Sequence, residues 1–179
     1  MNRAELEHAI RAACDVADDS EVYVLGSQAI LGEHPDAPEG LRQSAEVDVA
    51  PKHHPERADA IDGALGELSR FHETFGFYVH GISLDAATLP EGWRERVARV
   101  RNDNTYGFTG LCLEAHDLAV SKLVAFREKD REFVRILLRE ALVSPETLLE
   151  RLTTLSVDRE EVTDRIRRWV ERTAVELGR

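Results

Sequence analysis

Two acidic side chains one residue apart, Glu46 and Asp48, are the strongest candidates in this chain for holding a metal ion. They alternate with Val47 and Val49, and this period of two predicts a strand with both carboxylates on one face. Neighbouring like charges need a cation or an arginine to offset their repulsion, and carboxylates are ligands that Mg²⁺ binds. The alternative is an edge strand whose polar face lies in water.

A glycine-serine pair, Gly26-Ser27, follows a short β-branched and aromatic run at residues 21–25 that predicts a buried strand. Glycine lets the backbone approach a phosphate oxygen closely, and the Ser27 hydroxyl can donate a hydrogen bond to the same group. A Gly-Ser pair after a strand is also a common ordinary turn. In combination with the two acids, the pair favours metal-assisted chemistry on a nucleotide.

A third group of charged residues lies in the segment from Asp117 to Asp130. In one straight helix, Lys122 and Asp130 would stand about 80° apart around the axis and about 12 Å apart along it, too far for one small site. A break near Arg127-Glu128 would let Asp130 cap the following helix while Lys122 points at phosphates. The alternative is a continuous helix with Lys122 in solvent and Asp130 capping or paired with Arg127.

Composition limits the classes of protein to consider. The chain has 179 residues, 42% of them hydrophobic, which suffices for one well-buried core or an α/β domain with a small helical domain. Without a run of 18 apolar residues or a signal-type segment, we expect a soluble, cytoplasmic protein with no membrane partner. Cys14 and Cys112 lack the paired spacing of a zinc site and are interpreted as buried thiols.

The net charge of −11 opposes general adhesion to nucleic acid, so any RNA substrate must meet a local basic surface. Two arginine-rich stretches, residues 94–101 and 127–139, are candidates. The alternative is that these arginines form exposed pairs with nearby acids.

Hydrophobic periodicity predicts an α/β core followed by helices. A first domain is predicted over residues 1–113 and a helical subdomain over residues 114–179. Asp158 to Glu161 has the spacing of a capping box for the last helix.

The first domain's predicted helices cover residues 2–18 and about 55–71, and its predicted strands cover residues 21–25, 46–49, 75–82, 97–101 and 108–113.

The histidines give weaker signals. His53 and His54 lack a third nearby ligand and are interpreted as loop residues. His80 on a strand face and His116 near a helix start are interpreted as satisfied polar residues.

The order of these motifs resembles the polymerase-β-like nucleotidyltransferase superfamily, in particular its DUF6036 branch, which is similar to the MenT and AbiEii toxins of toxin–antitoxin systems. The resemblance covers about residues 20–140. Its most specific parts are residues 25–31, 89–93 and 117–130.

The resemblance implies an α+β fold with a mixed sheet flanked by helices, and transfer of a nucleoside monophosphate from an NTP to an acceptor, which is the 3′ end of tRNA or a protein. By position, Gly26, Ser27, Lys122 and Arg127 would bind the nucleotide, Glu46 and Asp48 would bind Mg²⁺, and Asp48, Lys122 and Asp130 would be catalytic. A cognate antitoxin would be the partner. A third carboxylate would be Asp85, just past the third strand. If Asp85 is only a turn residue, the site would have two metal ligands or would recruit Asp130.

Two other classes of protein remain open. One is a catalytically degenerate module that binds a nucleotide or a protein partner. The other is an interaction protein whose C-terminal helices form an oligomer or bind an antitoxin.

Overall fold

The chain folds into two compact units, which the computed structural model describes over residues 1–155 and 160–179. The first unit comprises Met1–Ala86 and Arg96–Glu114, and the second comprises Ala87–Glu95 and Ala115–Arg179. None of the helices in the described ranges combines the length and the apolar character that a membrane crossing requires.

A five-stranded mixed sheet forms the centre of the first unit, with strands in the order β3-β2-β1-β5-β4. Strand β1 is antiparallel to β2 and parallel to β5, β2 is parallel to β3, and β4 is antiparallel to β5. The predicted mixed sheet flanked by helices is therefore confirmed. The elements of this unit are α1 (Arg3–Ala17), β1 (Glu21–Val24), α2 (Ile30–Glu33), β2 (Glu46–Pro51), α3 (Ala58–Leu65), α4 (Arg70–Phe75), β3 (Tyr78–Gly81), β4 (Ala98–Val100) and β5 (Thr109–Cys112).

Helix α1 packs its apolar face on the sheet. Asn2 and Glu5 form a capping box at its start, and Leu6 and Ile10 are fully buried. A Cβ at Gly110 would lie only 2.4 Å from Ile10 Cδ1, so the absence of a side chain there lets α1 approach β5.

Cys14 and Cys112 are both buried and free, as predicted. Burial raises the pKa of each thiol to about 12, and the nearby acids Asp19 and Glu21 add to this effect at Cys14. Both thiols therefore behave as small apolar side chains.

The helix predicted over residues 55–71 is wrong, because the chain breaks inside this range. Helix α3 ends before Gly66, where a Cβ would lie 2.2 Å from the Asp62 carbonyl oxygen. Leu68, which in one continuous helix would share an apolar face with Ile61 and Leu65, is 83% exposed. Ser69 then caps α4 by accepting a hydrogen bond from the His72 amide.

The third predicted strand, residues 75–82, begins too early for the same reason. Phe75 closes α4, and Gly76 ends that helix with a φ of +76°. The strand itself covers Tyr78–Gly81.

In the second unit, helices account for the regular structure of the described residues from Ala115 on, as predicted. Helix α6 stops at Ala125, Phe126 adopts a left-handed φ of +56°, and α7 starts at Glu128. Of the two alternatives for this segment, the break near Arg127-Glu128 is therefore the one found. Asp158 and Arg159 of the predicted capping box lie outside the described residues. The helices are α5 (Trp93–Arg96), which begins in this unit, α6 (Ala115–Ala125), α7 (Glu128–Arg139), α8 (Pro145–Thr153) and α9 (Glu160–Glu176).

Candidate functional site

The two acids of β2 share one side of the strand, as their spacing predicts. Val47 and Val49 are fully buried, while the side chains of Glu46 and Asp48 keep 37% and 27% exposure. A cation in solvent can therefore reach both carboxylates.

A histidine completes this cluster. Because β3 pairs with β2 in parallel, with Asp48 opposite His80, the imidazole lies on the same side as the acids. His80 Nδ1 is 3.2 Å from Glu46 Oε1 and 3.3 Å from Asp48 Oδ1. One ligand atom from each of the three residues lies within 4.8 Å of the others, a spacing that a single metal ion can bridge.

The glycine-serine turn lies directly against this cluster. A Cβ at Gly26 would lie 1.9 Å from Asp48 Oδ2, so only glycine lets the backbone come this close. The Leu25 amide donates a hydrogen bond of 3.0 Å to the Asp48 carbonyl oxygen, which fixes the turn to β2. The structure thus brings Gly26, Glu46 and Asp48 together, with Ser27 half-buried beside them.

The field around the cluster is negative. Burial raises the pKa of the neighbouring Tyr78 hydroxyl, and the charges of Glu46, Glu67, Asp48 and Asp62 raise it further. This concentration of carboxylates favours a bound cation, and the donor set of two carboxylates and one imidazole fits a divalent metal ion.

Sequence reasoning interpreted His80 as a satisfied polar residue. For the third ligand it left open Asp85, Asp130 or no third ligand. Asp85 is exposed on a short turn, whereas the cluster found among the described residues is Glu46, Asp48 and His80. The alternation of Tyr78, Val79 and His80 indicates a strand with His80 on one face. The local sequence does not show which strand pairs with it. His116 does accept a hydrogen bond, from the Ser144 amide, as a satisfied polar residue should.

The remaining predicted site residues form a second group within the second unit. Asp130 is 1% exposed and accepts hydrogen bonds from the Arg127 backbone amide at 3.3 Å and from Arg127 Nε at 2.6 Å. Lys122 Nζ lies 3.7 Å from Asp130 Oδ1 and 4.8 Å from the Phe133 ring centre. Asp130 is therefore suited to positioning Lys122 and Arg127.

A basic groove of about 690 Å³ lies along α7 and α9 in the same unit. Beside it, Arg131 and Arg165 lie 5.2 and 4.2 Å from the centre of the Phe126 ring. Arg131 Nε is buried and has no hydrogen-bond partner within the described ranges. The residues that line the groove are Arg127, Glu128, Lys129, Arg131, Glu132, Arg135 and Trp169.

Some of the predicted basic residues form pairs with acids, as the alternative interpretation holds. Arg135 pairs with Glu176 at 2.9 Å, and Arg99 pairs with Glu21 at 2.9 Å. The groove keeps an excess of basic over acidic residues because four of its lining side chains are Arg or Lys and two are Glu.

Comparison with models of known protein families gives a match over most of the chain. A family model described as "Nucleotidyltransferase of unknown function (DUF6036)" matches residues 4–175. No curated protein and no solved structure matches the chain.

Proposed function

Since the chain belongs to the DUF6036 family of nucleotidyltransferases of unknown function, we propose that it transfers a nucleoside monophosphate from an NTP to an acceptor, with a divalent metal ion as cofactor. The observation that carries this proposal is the close approach of the Gly26 backbone to Asp48, which would place a phosphate-binding turn beside a metal-binding carboxylate. Neither feature alone distinguishes an enzyme from an ordinary strand and turn.

Each residue of this site has a proposed role. Glu46 and Asp48, with His80, would hold the metal ion, which when bound neutralises charge on the triphosphate. The backbone at Gly26 and the hydroxyl of Ser27 would bind phosphate oxygens. Within the second unit, Asp130 would hold Lys122 and Arg127 in position for the nucleotide, and these three assignments stay predictions.

We propose RNA, with the 3′ end of tRNA as the specific acceptor, rather than a protein. The groove of α7 and α9 supports this choice, because arginines beside aromatic rings suit a phosphate backbone with unstacked bases. A role as the toxin of a toxin–antitoxin pair, with a cognate antitoxin as partner, rests on the resemblance to MenT and AbiEii alone.

The test is a labelling reaction with each α-labelled NTP in turn, Mg²⁺, total tRNA and cell lysate. We expect the unmodified chain to label RNA and Asp48→Asn to lose this activity by at least about 100-fold, because charge stabilisation at the phosphate would be lost. The matched control is Asp59→Asn, which removes an equal charge from an exposed position on α3 and should label normally.

Three outcomes would contradict parts of the proposal. Label in a protein band would exclude RNA as the acceptor. Equal labelling by Asp48→Asn would exclude the site. Nucleotide binding without any labelled product, in a chain with intact circular dichroism, would identify a binding module instead.

A further inference from the structure

The candidate metal cluster of Glu46, Asp48 and His80 contains an imidazole in addition to two carboxylates. His80 Nδ1 faces the two carboxylates of β2, and its distances to Glu46 Oε1 and Asp48 Oδ1 are 3.2 and 3.3 Å. Two ligands in adjacent positions of an octahedral ion, with bonds of about 2.2 Å, stand about 3 Å apart. His80 Nδ1 is thus already spaced from each carboxylate like a neighbouring ligand of one ion.

The opposite nitrogen of the same ring faces another carboxylate. His80 Nε2 lies 3.9 Å from Asp62 Oδ1, on α3. Histidines that bind metals commonly direct their second ring nitrogen to a carboxylate, which fixes the ring and increases the basicity of the ligating nitrogen. Asp62 is 53% exposed, so this carboxylate can adjust towards the ring when a cation binds.

An imidazole changes which cation the site prefers. Mg²⁺ binds oxygen ligands and gains little from nitrogen, whereas first-row transition ions bind imidazole well. Mn²⁺ binds most weakly of the first-row divalent ions. If the site prefers Mn²⁺ to Mg²⁺, it should therefore prefer the later ions of the series to Mg²⁺ even more strongly.

We propose that His80 is the third metal ligand and that it makes this site select a first-row transition ion such as Mn²⁺ over Mg²⁺. The inference rests on the proposed metal-dependent function and specifies the cation. Asp62 is the positioning residue that orients the His80 ring.

The test measures metal binding directly, without an activity assay. Mn²⁺ is titrated into the full chain and the free ion is followed by electron paramagnetic resonance, with Mg²⁺ as the competitor. We expect Mn²⁺ to bind at least about tenfold more tightly than Mg²⁺. Electron spin-echo modulation of the bound Mn²⁺ should show coupling to a ¹⁴N nucleus.

His80→Asp is the informative variant, because it converts the site to three carboxylates. This variant should still bind Mg²⁺ but should show no ¹⁴N coupling. Its ratio of Mn²⁺ to Mg²⁺ affinity should fall about tenfold. The matched control is His54→Asp, at a half-exposed loop position of the same unit, which should retain both signals. Asp62→Asn should keep the ¹⁴N coupling and weaken Mn²⁺ binding.

The outcomes separate this inference from the proposed function. Tight Mn²⁺ binding without ¹⁴N coupling, or an unchanged Mn²⁺ preference in His80→Asp, would overturn the role of His80 while leaving a two-carboxylate metal site. If neither ion binds the unmodified chain, with or without an NTP, the metal-dependent function itself fails.

Discussion

At the scale of single residues, the site depends on how closely the Gly26 backbone approaches the Asp48 side chain. A Cβ at position 26 would meet not only Asp48 Oδ2 at 1.9 Å but also its Cγ at 2.8 Å and its Cβ at 3.0 Å. Rotating the carboxylate tip cannot relieve all three contacts. A side chain at position 26 must therefore displace Asp48 as a whole.

Gly26→Ala should consequently weaken metal binding. We expect the Mn²⁺ dissociation constant to rise at least about tenfold, or about 1.4 kcal/mol, measured by titration. Gly63→Ala is the control, because a Cβ at Gly63 on α3 meets nothing within 4 Å. That variant should bind metal normally and gain about 0.5 kcal/mol of stability. Unchanged metal affinity in Gly26→Ala would show that the turn is not part of the site.

A second buried carboxylate, Asp19, ties the start of β1 to the loop after β2. Its side chain is fully buried and accepts hydrogen bonds from the backbone amides of Glu21, His53 and His54, and it lies 2.8 Å from His53 Nδ1. Burial raises the pKa of Asp19, but these hydrogen bonds outweigh burial and hold it below its usual value of 3.8. The ionised form therefore stabilises the fold.

Because of this lowered pKa, the free energy of unfolding should depend on pH in a defined direction. A lowered carboxyl pKa contributes stability above the unfolded value of 3.8, and that stability is lost as the pH falls through the folded value. Asp19→Asn should be about 1–3 kcal/mol less stable than the unmodified chain near pH 7 in urea unfolding. The difference should shrink below pH 3.8. The control Asp15→Asn, on the exposed side of α1, should show no such gap, and a gap for Asp19→Asn that did not vary with pH would contradict the assignment.

Sequence alone could place the acids of the site on one strand face because alternation is a local property. It could not identify His80 as their neighbour, because the pairing of β2 with β3 joins residues 32 positions apart. An isolated histidine on a strand carries no sign of the side chains opposite it.

At the scale of elements, the break between α6 and α7 creates the second group of charged residues. Phe126 takes a left-handed conformation, so α7 restarts with Arg127 as its cap and Asp130 in its first turn. The charges and the cap-forming acid made this break predictable. The break between α3 and α4 was not predicted, since the apolar spacing continues through Leu65 and Leu68 although Gly66 stops the helix.

Asp130→Ala should destabilise the second unit by about 3 kcal/mol, because it removes a helix cap and a buried carboxylate that lies 3.7 Å from the Lys122 ammonium. Urea unfolding followed by circular dichroism measures the change. Glu128→Ala alters the same helical turn at an exposed position and should cost less than about 0.5 kcal/mol. Equal stability of the two variants would mean that Asp130 does not organise the start of α7.

At the scale of the whole molecule, the groove of α7 and α9 is a local basic surface on a strongly acidic chain. The net charge of −11 repels a polyanion at long range, so RNA binding would depend on a few short-range contacts. Such binding should be weak and salt-sensitive.

Lys129→Glu should reduce affinity for tRNA about 3- to 10-fold in a filter-binding or fluorescence assay, and should lower the salt slope by about one. Arg70→Glu makes the same change in net charge on α4 in the first unit, at a residue that does not line the groove, and should have a smaller effect. If both variants bind tRNA equally, only overall charge matters and the groove is not the binding surface.

The position of β3 at the edge of the sheet has a consequence for how the protein responds to its surroundings. An edge strand has a hydrogen-bonded neighbour on one side only, so it separates more readily than the strands inside the sheet. His80 is on this strand and both acids are on the next, so an ion bound by all three crosslinks the two strands. The two equilibria are then thermodynamically linked. The factor by which the bound ion favours attachment of β3 equals the factor by which attachment of β3 increases the affinity for the ion. The attachment of β3 to the edge of the sheet would thus depend on the concentration of divalent ions.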